Sequence, residues 1–332
     1  MKRYLLILWV IIFSAFINGV FAQEWKRDAQ ALFFGTGTNN YMGDLGGGKK
    51  DAAHFLGIRD WDYQTTRPTF QFGYRLRVAE VIAVKVFSSY AIVSGKDAAS
   101  GHIGRRARNL SFRSPVVELG GQIEYYFLRE KVTPRYAFAS LGGIRNIAAY
   151  IFFGFGGFYY NPKAKNLEDG KWYALRPLGT EGQYANITYN NFYDPTEVLH
   201  TPKPYSQFAS FVSMGIGAKY NINRQWAIGV EFSNRYTSTD YLDDAHDRYF
   251  NYDDFPELSY PAGVDPHIWH YFADRHLTVD YENNTVGGPA EPYHSGKPGR
   301  GNPEYNDAYL FFLVHVYYTI KKNRSYRRPK FR

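Results

Sequence analysis

Seven charged residues stand at alternate positions of segments whose other face is apolar. Side chains alternate across a strand with a period of two, so these charges share their face with glycine and small polar residues. The sequence predicts that they point into a barrel lumen and fill it as a network of ion pairs: Arg75, Lys85, Glu118, Glu124, Lys219, Glu231 and Arg235. The two signs nearly balance, which favours a plugged lumen. A path for a substrate through the lumen is the alternative.

Histidine and aspartate residues cluster in the segment 238–306, and side chains of these types could hold a metal ion. The candidates are His267, His270, His276 and His294, with Asp240, Asp243, Asp244 and Asp247. The histidines have no companion metal-binding motif, and the aspartates lack the glycine at the bend of a calcium loop. We therefore expect free loop histidines near tyrosine and tryptophan, and aspartates that cap local turns or pair with Arg248. A metal site at the histidines is the alternative.

Catalytic residues are not evident in this sequence. No serine, histidine and acid are grouped as a nucleophilic set. The residues alone therefore define no catalytic set, and we expect neither a cofactor nor a metal.

The elements that must position these side chains are β-strands. After a turn at residues 221–224, Trp226, Val230 and Phe232 fall on one face, while Glu231 and Arg235 fall on the other. An apolar face that begins and ends in aromatic residues, opposite a charged face, is typical of a membrane barrel strand.

Eight segments show this alternation: 30–42, 69–77, 81–93, 116–127, 149–160, 208–220, 226–236 and 308–320. The links after the second and sixth segments are short, and those after the first, third, fifth and seventh are long. Residues 129–146 are ambiguous and are interpreted as a longer turn. The sequence predicts an all-β fold, an eight-stranded antiparallel transmembrane barrel of the outer membrane with long extracellular loops and both termini in the periplasm.

The N-terminus predicts export. Lys2 and Arg3 precede an apolar run that ends in small residues at Val20 and Ala22, which indicates a secretory signal peptide over residues 1–22. The mature chain contains 0 Cys, and 19% of the whole sequence is aromatic. These features argue against a disulfide-stapled scaffold and suit residues that sit at a membrane interface. The barrel is expected over residues 23–320.

The positive charge of the chain belongs to its C-terminus, residues 321–332. Without the signal peptide and this tail, the formal charge of +8 becomes about −1. The basic balance is therefore no argument for nucleic-acid binding, which needs a basic face on a folded module. The tail residues predicted to bind a partner are Lys321, Lys322, Arg324, Tyr326, Arg327, Arg328, Lys330, Phe331 and Arg332.

Four stretches carry a resemblance to a known family. They are 40–45 (NYMGDL), 108–114 (RNLSFRS), 158–165 (FYYNPKAK) with its continuation over 170–173 and 177–183 (GKWY and PLGTEGQ), and 239–244 (TDYLDD) with an echo at 300–303 (RGNP). Together they resemble the PorG-like outer-membrane β-barrels associated with the type IX secretion system. The resemblance covers nearly the whole mature chain, although the fourth long loop is unusually long and rich in histidine and proline.

This resemblance implies a non-enzymatic component of the type IX protein secretion machinery. It implies a link between outer-membrane lipid and the periplasmic ring proteins PorK and PorN, together with other type IX components. Anionic lipid headgroups are the other partner considered for the basic tail. The alternative function is a stand-alone surface barrel that binds a ligand, or modifies lipid, through its extracellular loops.

Overall fold

The computed structural model describes residues 29–46, 63–128, 146–223 and 225–320. The expected signal peptide, the basic tail and residues 129–145 of the ambiguous link lie outside the described residues. No helix within the described ranges is long and apolar enough to cross a membrane.

Eight long strands form the body of the molecule. Numbered along the chain, they are β1 (Gln30–Met42), β2 (Arg67–Arg77), β3 (Ile82–Lys96), β4 (Ser111–Leu128), β5 (Ile147–Tyr160), β10 (Phe208–Asn221), β11 (Trp226–Thr237) and β14 (Ala308–Thr319). The shorter strands between them are β6 (Lys163–Lys165), β7 (Trp172–Ala174), β8 (Thr188–Asn190), β9 (Val198–His200), β12 (Leu277–Asp280) and β13 (Thr285–Pro289).

The eight long strands close into a barrel. They pair in the order β3, β2, β1, β14, β11, β10, β5, β4, and β3 also pairs with β4. All of these pairings are antiparallel; in the β1–β14 pair, for example, Phe34 lies opposite Val316. Because the sheet has no free edge, its backbone groups find partners within the protein, as a hydrocarbon surrounding requires. The predicted eight-stranded antiparallel barrel is confirmed.

Side chains alternate across the barrel wall as the sequence predicts. On β4, Val117, Leu119 and Ile123 are exposed on the outer face, whereas Glu118 and Glu124 are fully buried inside. Close packing needs glycine at some positions; an added Cβ at Gly156 would lie only 2.4 Å from the Leu119 carbonyl oxygen. The outer wall is therefore an apolar surface that suits lipid, and the inner wall is polar.

Aromatic residues mark the two edges of this apolar belt. Near the long loops, Tyr90 and Tyr159 lie on either side of Val117 in neighbouring strands. Near the short turns, the ring centroids of Trp226 and Tyr318 are 5.0 Å apart. Ten residues of a strand tilted by about 40° rise roughly 26 Å, so the outward face of β4 from Val117 to Phe127 matches the ~25 Å belt of outer-membrane barrels.

The strand bounds differ from the prediction mainly at the long-loop end of β3 and β4. These two strands continue to Lys96 and back to Ser111, whereas the sequence assigns residues 94–114 to a loop. Proline commonly ends a strand, yet Pro115 lies in the ladder opposite Ile92, on the outer face. The short turns are as predicted: Val78 donates its N–H to Ile82 O at 3.0 Å, and Ile222 donates to Trp226 O at 3.0 Å.

The third and fourth long loops, 161–207 and 238–307, fold together into a structured cap over the long-loop end of the barrel. They contain β6–β9, the β12–β13 hairpin and helix α2 (Pro266–Ala273); the shorter helix α1 (Ile103–Arg108) lies in the second loop. Asp265 caps helix α2, because its side chain accepts a hydrogen bond from His267 N. The helix then begins at Pro266, and proline is well suited to the first helical turn. Buried Trp269 and Phe272 join the cap to the barrel core. The two loops are as long as predicted, and they carry secondary structure that the sequence analysis does not assign.

Candidate functional site: the lumen network and the mouth cluster

The predicted lumen charges lie inside the barrel, and the pairing is densest around Glu231. Lys85 Nζ is 2.7 Å and 2.8 Å from the two carboxylate oxygens of Glu231. Tyr150 donates a hydrogen bond of 2.6 Å to Glu231 Oε1, and Tyr317 donates one of 3.3 Å to the same atom. Three strands, β3, β5 and β14, thus direct donors at one carboxylate on β11.

A second group of charges closes the short-turn end of the lumen. Arg75 Nε lies 2.7 Å from Glu124 Oε2. Tyr126 joins the pair, since its hydroxyl donates to Glu124 at 2.8 Å and accepts from Arg75 Nη2 at 2.6 Å. Lys219 lies in the same region, with Nζ 5.8 Å from the ring centre of Tyr317.

A third group lies toward the long loops. Arg235 Nε is 2.8 Å from Glu118 Oε1, and Tyr309 donates to the same oxygen at 2.7 Å. The guanidinium also lies 3.8 Å from the ring centre of Phe311. All seven predicted lumen residues are thus buried, and the three carboxylates each meet a cation. An eight-stranded barrel is just wide enough to be filled by such side chains, so the arrangement favours a plug over a path.

Above the lumen, a buried group of polar residues lies where the cap meets the barrel; we name it the mouth cluster. Its centre is Tyr41, at the end of β1, with the side chains of Asp243 and Asp307. Tyr41 Oη is 2.6 Å from Asp243 Oδ2 and also makes a short hydrogen bond with Asp307 Oδ1. A phenol carries one proton, so both contacts are hydrogen bonds only if one of the two carboxyls is protonated.

Burial supports that protonation. It is the largest cause that raises the pKa of Asp307 and the pKa of Asp243, and nearby carboxylates raise both further. Burial, followed by Asp243 and Asp44, also raises the pKa of Asp240 to about 10. A protonated Asp240 can donate to His246 Nδ1, which lies 2.6 Å from Oδ2. The mouth cluster therefore holds more carboxyls than cations, and burial favours the protonated form of Asp240, Asp243 and Asp307.

Arg300 ties the two large loops of the cap together. Its buried guanidinium donates 2.9 Å hydrogen bonds to Glu181 Oε1 and Thr180 Oγ1, and one of 2.6 Å to the carbonyl oxygen of Asp244. The Asp244 carboxylate accepts hydrogen bonds of 2.6 Å from the hydroxyls of Thr180 and Tyr205. Residues from 161–207 and 238–307 are therefore joined by one side chain.

Arg108 joins the shorter loops to the same cluster. It pairs with both oxygens of Asp97 at 2.7 Å and 2.9 Å and donates to Arg300 O at 2.8 Å. A further hydrogen bond of 2.5 Å goes to the carbonyl oxygen of Asp44. Asp44 in turn accepts a 2.6 Å hydrogen bond from Asn302 N.

The mouth cluster brings together residues from the stretches that carry the family resemblance. Tyr41 and Asp44 belong to 40–45, Arg108 to 108–114, Glu181 to 177–183, Asp243 to 239–244 and Arg300 to 300–303. Stretches whose contacting residues are separated by up to 258 positions thus meet in one place. These contacts cannot be predicted from the sequence alone, because periodicity and residue spacing are local signals.

The aspartates of 239–247 differ from the expectation of simple turn caps. Asp243 does cap a turn, accepting from Ala245 N at 3.0 Å, and Asp247 lies 3.5 Å from Arg248 Nε. However, Asp240, Asp243 and Asp244 are buried, and Asp243 and Asp244 also make the long-range contacts described above. The turn cap is thus confirmed for Asp243 but does not account for its contact with Tyr41, and for Asp240 and Asp244 the prediction is wrong.

The histidines of the fourth loop do have aromatic neighbours, but they are not free. His276 Nδ1 is 2.8 Å from Asp274, and His294 Nδ1 is 2.7 Å from Asp254. His270 Nε2 is 2.7 Å from the Tyr260 hydroxyl, and His267 Nε2 is 3.7 Å from Glu168. Within the described ranges, no three His, Cys, Asp or Glu side chains are placed to hold a metal ion.

An open cavity of about 320 Å³ borders the mouth cluster. Its walls come from the first loop, from helix α1 and from residues 299–302, and they include Asp44, His102, Arg105 and Asn302. Arg105 Nη1 donates to Gly46 O at 2.5 Å. Side chains of both positive and negative charge therefore line this cavity beside the cap.

No protein-family model matches the chain, and no characterised protein matches it in sequence. Three solved structures are similar at 7% identity: Neisserial surface protein A (TM-score 0.33, covering 88% of this chain and 96% of that one), Ail of Yersinia pestis in complex with sucrose octasulfate (0.33; 87% and 98%), and CarO2 of Acinetobacter baumannii (0.26; 87% and 99%). The fold assignment rests on the pairing of this chain's own strands. A closed barrel with an apolar outer belt is an outer-membrane β-barrel.

Proposed function

We propose that this chain is a non-enzymatic component of the type IX protein secretion machinery that docks the periplasmic PorK and PorN ring to the outer membrane. The observation that carries the proposal is the meeting of the resemblance stretches in the mouth cluster. Residues such as Tyr41, Glu181 and Arg300 are distant in sequence but form one buried network. The resemblance therefore follows a three-dimensional arrangement and not a set of unrelated turns.

A scaffold role is supported by the lumen. Its carboxylates are held in ion pairs of 2.7–2.8 Å, and buried rings such as those of Phe33 and Tyr317 pack beside them, with ring centroids 5.7 Å apart. In this proposal the barrel wall and the side chains that fill it act as a rigid anchor. The contacts with the ring are made by segments that project from the ends of the barrel.

The docking element in this proposal is the basic tail, residues 321–332. Ile320 N donates a 2.8 Å hydrogen bond to Gln30 O, so the chain leaves the barrel beside its first strand, at the short-turn end. With the long loops outside the cell, this end faces the periplasm. Seven cations without an acid suit an acidic surface on a ring protein, and Tyr326 and Phe331 offer aromatic anchors.

The test compares three forms of the full-length protein in native membranes. One form has residues 322–332 replaced by a Gly/Ser segment of equal length, and another carries Tyr326→Ala with Phe331→Ala. Heat-dependent migration on a denaturing gel checks that each barrel is folded. We expect PorK and PorN to co-purify with the wild type and to be lost from the Gly/Ser form.

The outcomes separate the parts of this proposal. Loss with the Gly/Ser form alone assigns the contact to charge, and loss with both forms adds the aromatic anchors. If both variants keep the ring and secretion is normal, the tail is not the docking element. If the wild type itself does not co-purify with the ring, the secretion role is overturned.

A stand-alone surface barrel that binds a ligand or modifies lipid is the second candidate. The cap and the cavity beside Asp44 and Arg105 favour it, because a structured external surface with a polar recess suits ligand binding. A deletion strain with an altered lipid profile and normal secretion would support this candidate over the first.

A further inference from the structure

Positive charge on the outer barrel wall is concentrated on one side. Outward-facing Lys96 and Arg113 end the outer faces of β3 and β4, and Lys163 and Lys165 follow on β6. The four residues form what we name the basic patch. In contrast, the outward positions at the same end of β10 and β11 are uncharged: Phe208, Ser210, Tyr236 and Ser238.

The strand pairing brings the members of the basic patch together. Arg113 lies directly opposite Lys163 in the β4–β6 pair, and directly paired residues point to the same side of a sheet. Lys165 follows Lys163 on the same face, since Ala164 between them is buried. Lys96 lies opposite Ser111, two positions from Arg113.

The basic patch continues the lipid-facing surface. Arg113 shares its face with Val117, which lies four residues farther along β4 between the aromatic residues Tyr90 and Tyr159. Four residues of a tilted strand rise about 10 Å. Because the polar headgroup layer begins at the edge of the hydrocarbon core, Arg113 lies at the depth of the headgroups and beside them.

The cations of the basic patch are not neutralised by the protein. Among the described residues, no carboxylate forms an ion pair with Arg113, Lys163 or Lys165. Arg113 instead lies with its guanidinium carbon 5.7 Å from the ring centre of half-exposed Trp172, which leaves its donors available. Asp97 follows Lys96 in the chain but pairs with Arg108. Glu168 and Asp169 follow Lys165 in the β6–β7 turn, and Asp169 already accepts a 2.6 Å hydrogen bond from Tyr173.

We propose that the basic patch binds the phosphate groups of an anionic glycolipid in the external leaflet. Guanidinium and ammonium groups at headgroup depth are the natural partners of lipid phosphates. The apolar residues below the patch receive the acyl chains of the same lipid molecule, which a soluble anion cannot use. This inference rests on the long loops facing outward and is independent of the tail.

The experiment measures lipid binding by the mature full-length protein in detergent. Native mass spectrometry gives the affinity for bisphosphorylated lipid A and for the same lipid after enzymatic dephosphorylation. The variant carries Arg113→Gln, Lys163→Gln and Lys165→Gln, and the control carries Lys203→Gln and Lys297→Gln in the cap. Gel migration before and after boiling confirms that each barrel is folded.

We expect the wild type and the control to bind the phosphorylated lipid at least tenfold more tightly than the dephosphorylated one, since each cation at a membrane surface contributes roughly fivefold. The triple variant should lose that preference, and salt should reduce it in the wild type. Arg113→Gln alone, at an exposed position, gives a smaller loss in the same direction and serves if the triple variant does not fold.

Two results would overturn the proposal. The first is equal binding of both lipids by the wild type, and the second is an unchanged preference in the triple variant. Inorganic phosphate is also added as a competitor. If it displaces the lipid at equal concentration, the basic patch is a site for free anions and the lipid assignment is wrong.

Discussion

The lumen network and the mouth cluster both bury charged side chains, but they balance charge by different means. In the lumen, Glu118, Glu124 and Glu231 each lie within 2.8 Å of a cation. In the mouth cluster, Asp243 and Asp307 face the same phenol, and burial raises the pKa of both carboxyls. The first region is held by opposite charges and the second largely by protons.

The difference follows from the elements that carry the residues. Strand positions repeat every second residue around a closed wall, so a carboxylate and a cation can face each other across the lumen at fixed heights. Loop residues such as Asp240 and Asp307 have no such register, and they meet where the cap closes. We infer that the barrel core is insensitive to moderate changes of pH and that the cap is the part that responds.

The largest expected effect is in the lumen. Glu231→Ala leaves the ammonium of Lys85 buried without its carboxylate, and removing one partner of a buried pair costs about 3–5 kcal/mol. The free energy of unfolding, measured by urea titration in lipid vesicles, should fall by that amount. The double variant Lys85→Met with Glu231→Gln should recover most of the loss, because it removes the charge and keeps an acceptor for Tyr150. A single variant as stable as wild type would contradict the ion-pair account.

A smaller and more local effect is expected from Arg300→Ala. It removes the link between Glu181, Thr180 and Asp244, but the barrel strands keep all of their pairings. Because burial already raises the pKa of Glu181, this carboxyl can take up a proton, and we expect a loss of about 2–3 kcal/mol confined to the cap. Proteolysis of residues 161–207 and 238–307 should accelerate while gel migration stays unchanged. Arg300→Lys is the matched control, and equal loss of barrel stability would show that the two regions are not separate.

The third prediction concerns pH. Burial and neighbouring carboxylates raise the pKa of Asp240 to about 10 and raise those of Asp243 and Asp307. A folded-state pKa above the unfolded value gives stability that is complete below the unfolded pKa and is lost as the pH rises through the folded pKa. Protection of the cap amides, which is exchange corrected for the intrinsic rate at each pH, should therefore be lower at pH 9 than at pH 5, while protection of the barrel strands changes little. Asp307→Asn should weaken this dependence, and cap protection that is higher at pH 9 than at pH 5 would refute the proton-sharing account.

The smallest effect is expected at the rim of the cap. Arg248 Nη2 lies 2.9 Å from Glu197 Oε1, with side chains 25% and 38% exposed. Solvent screens such pairs, so Glu197→Gln should change cap stability by about 0.2–1 kcal/mol. Glutamine keeps an acceptor for Asn191, which now donates to Glu197 at 2.7 Å. A loss as large as that of Arg300→Ala would mean that burial does not decide which cap contacts matter.

The sequence predicts the barrel well because the decisive signal is local. Alternation such as Val117 against Glu118 repeats over whole strands and needs no knowledge of the partner strand. The identity of the ion pairs is not local: Arg235 pairs with Glu118 on β4 and not with Glu231 four residues earlier on its own strand. The sequence therefore predicts which face of the barrel wall each side chain lies on. The partner of each charged residue is defined only in the closed sheet.

The contacts of the mouth cluster could not be predicted from local sequence patterns. Asp243 sits among turn-forming residues and was interpreted as a turn cap, but its partner Tyr41 is 202 residues away. Burial of a carboxyl beneath a cap depends on how two long loops pack together, and no period in the sequence records it. The extension of β4 to Ser111 is likewise not predicted from the sequence. A proline such as Pro115 commonly ends a strand, and only the pairing with β3 shows that the ladder continues past it.

The pairing of β1 with β14 has a consequence for biogenesis. The first strand finds its second neighbour only when the last strand is present, since Ala31 lies opposite Thr319. Until then two edges with unpaired backbone groups remain open to association with other chains. Closing a loop that includes nearly the whole chain is slow, so we expect the unclosed polypeptide to be prone to aggregation before the last strand pairs. A chain truncated within β14 cannot pair β1 with its second neighbour. An intact β14 is therefore required before the barrel can close.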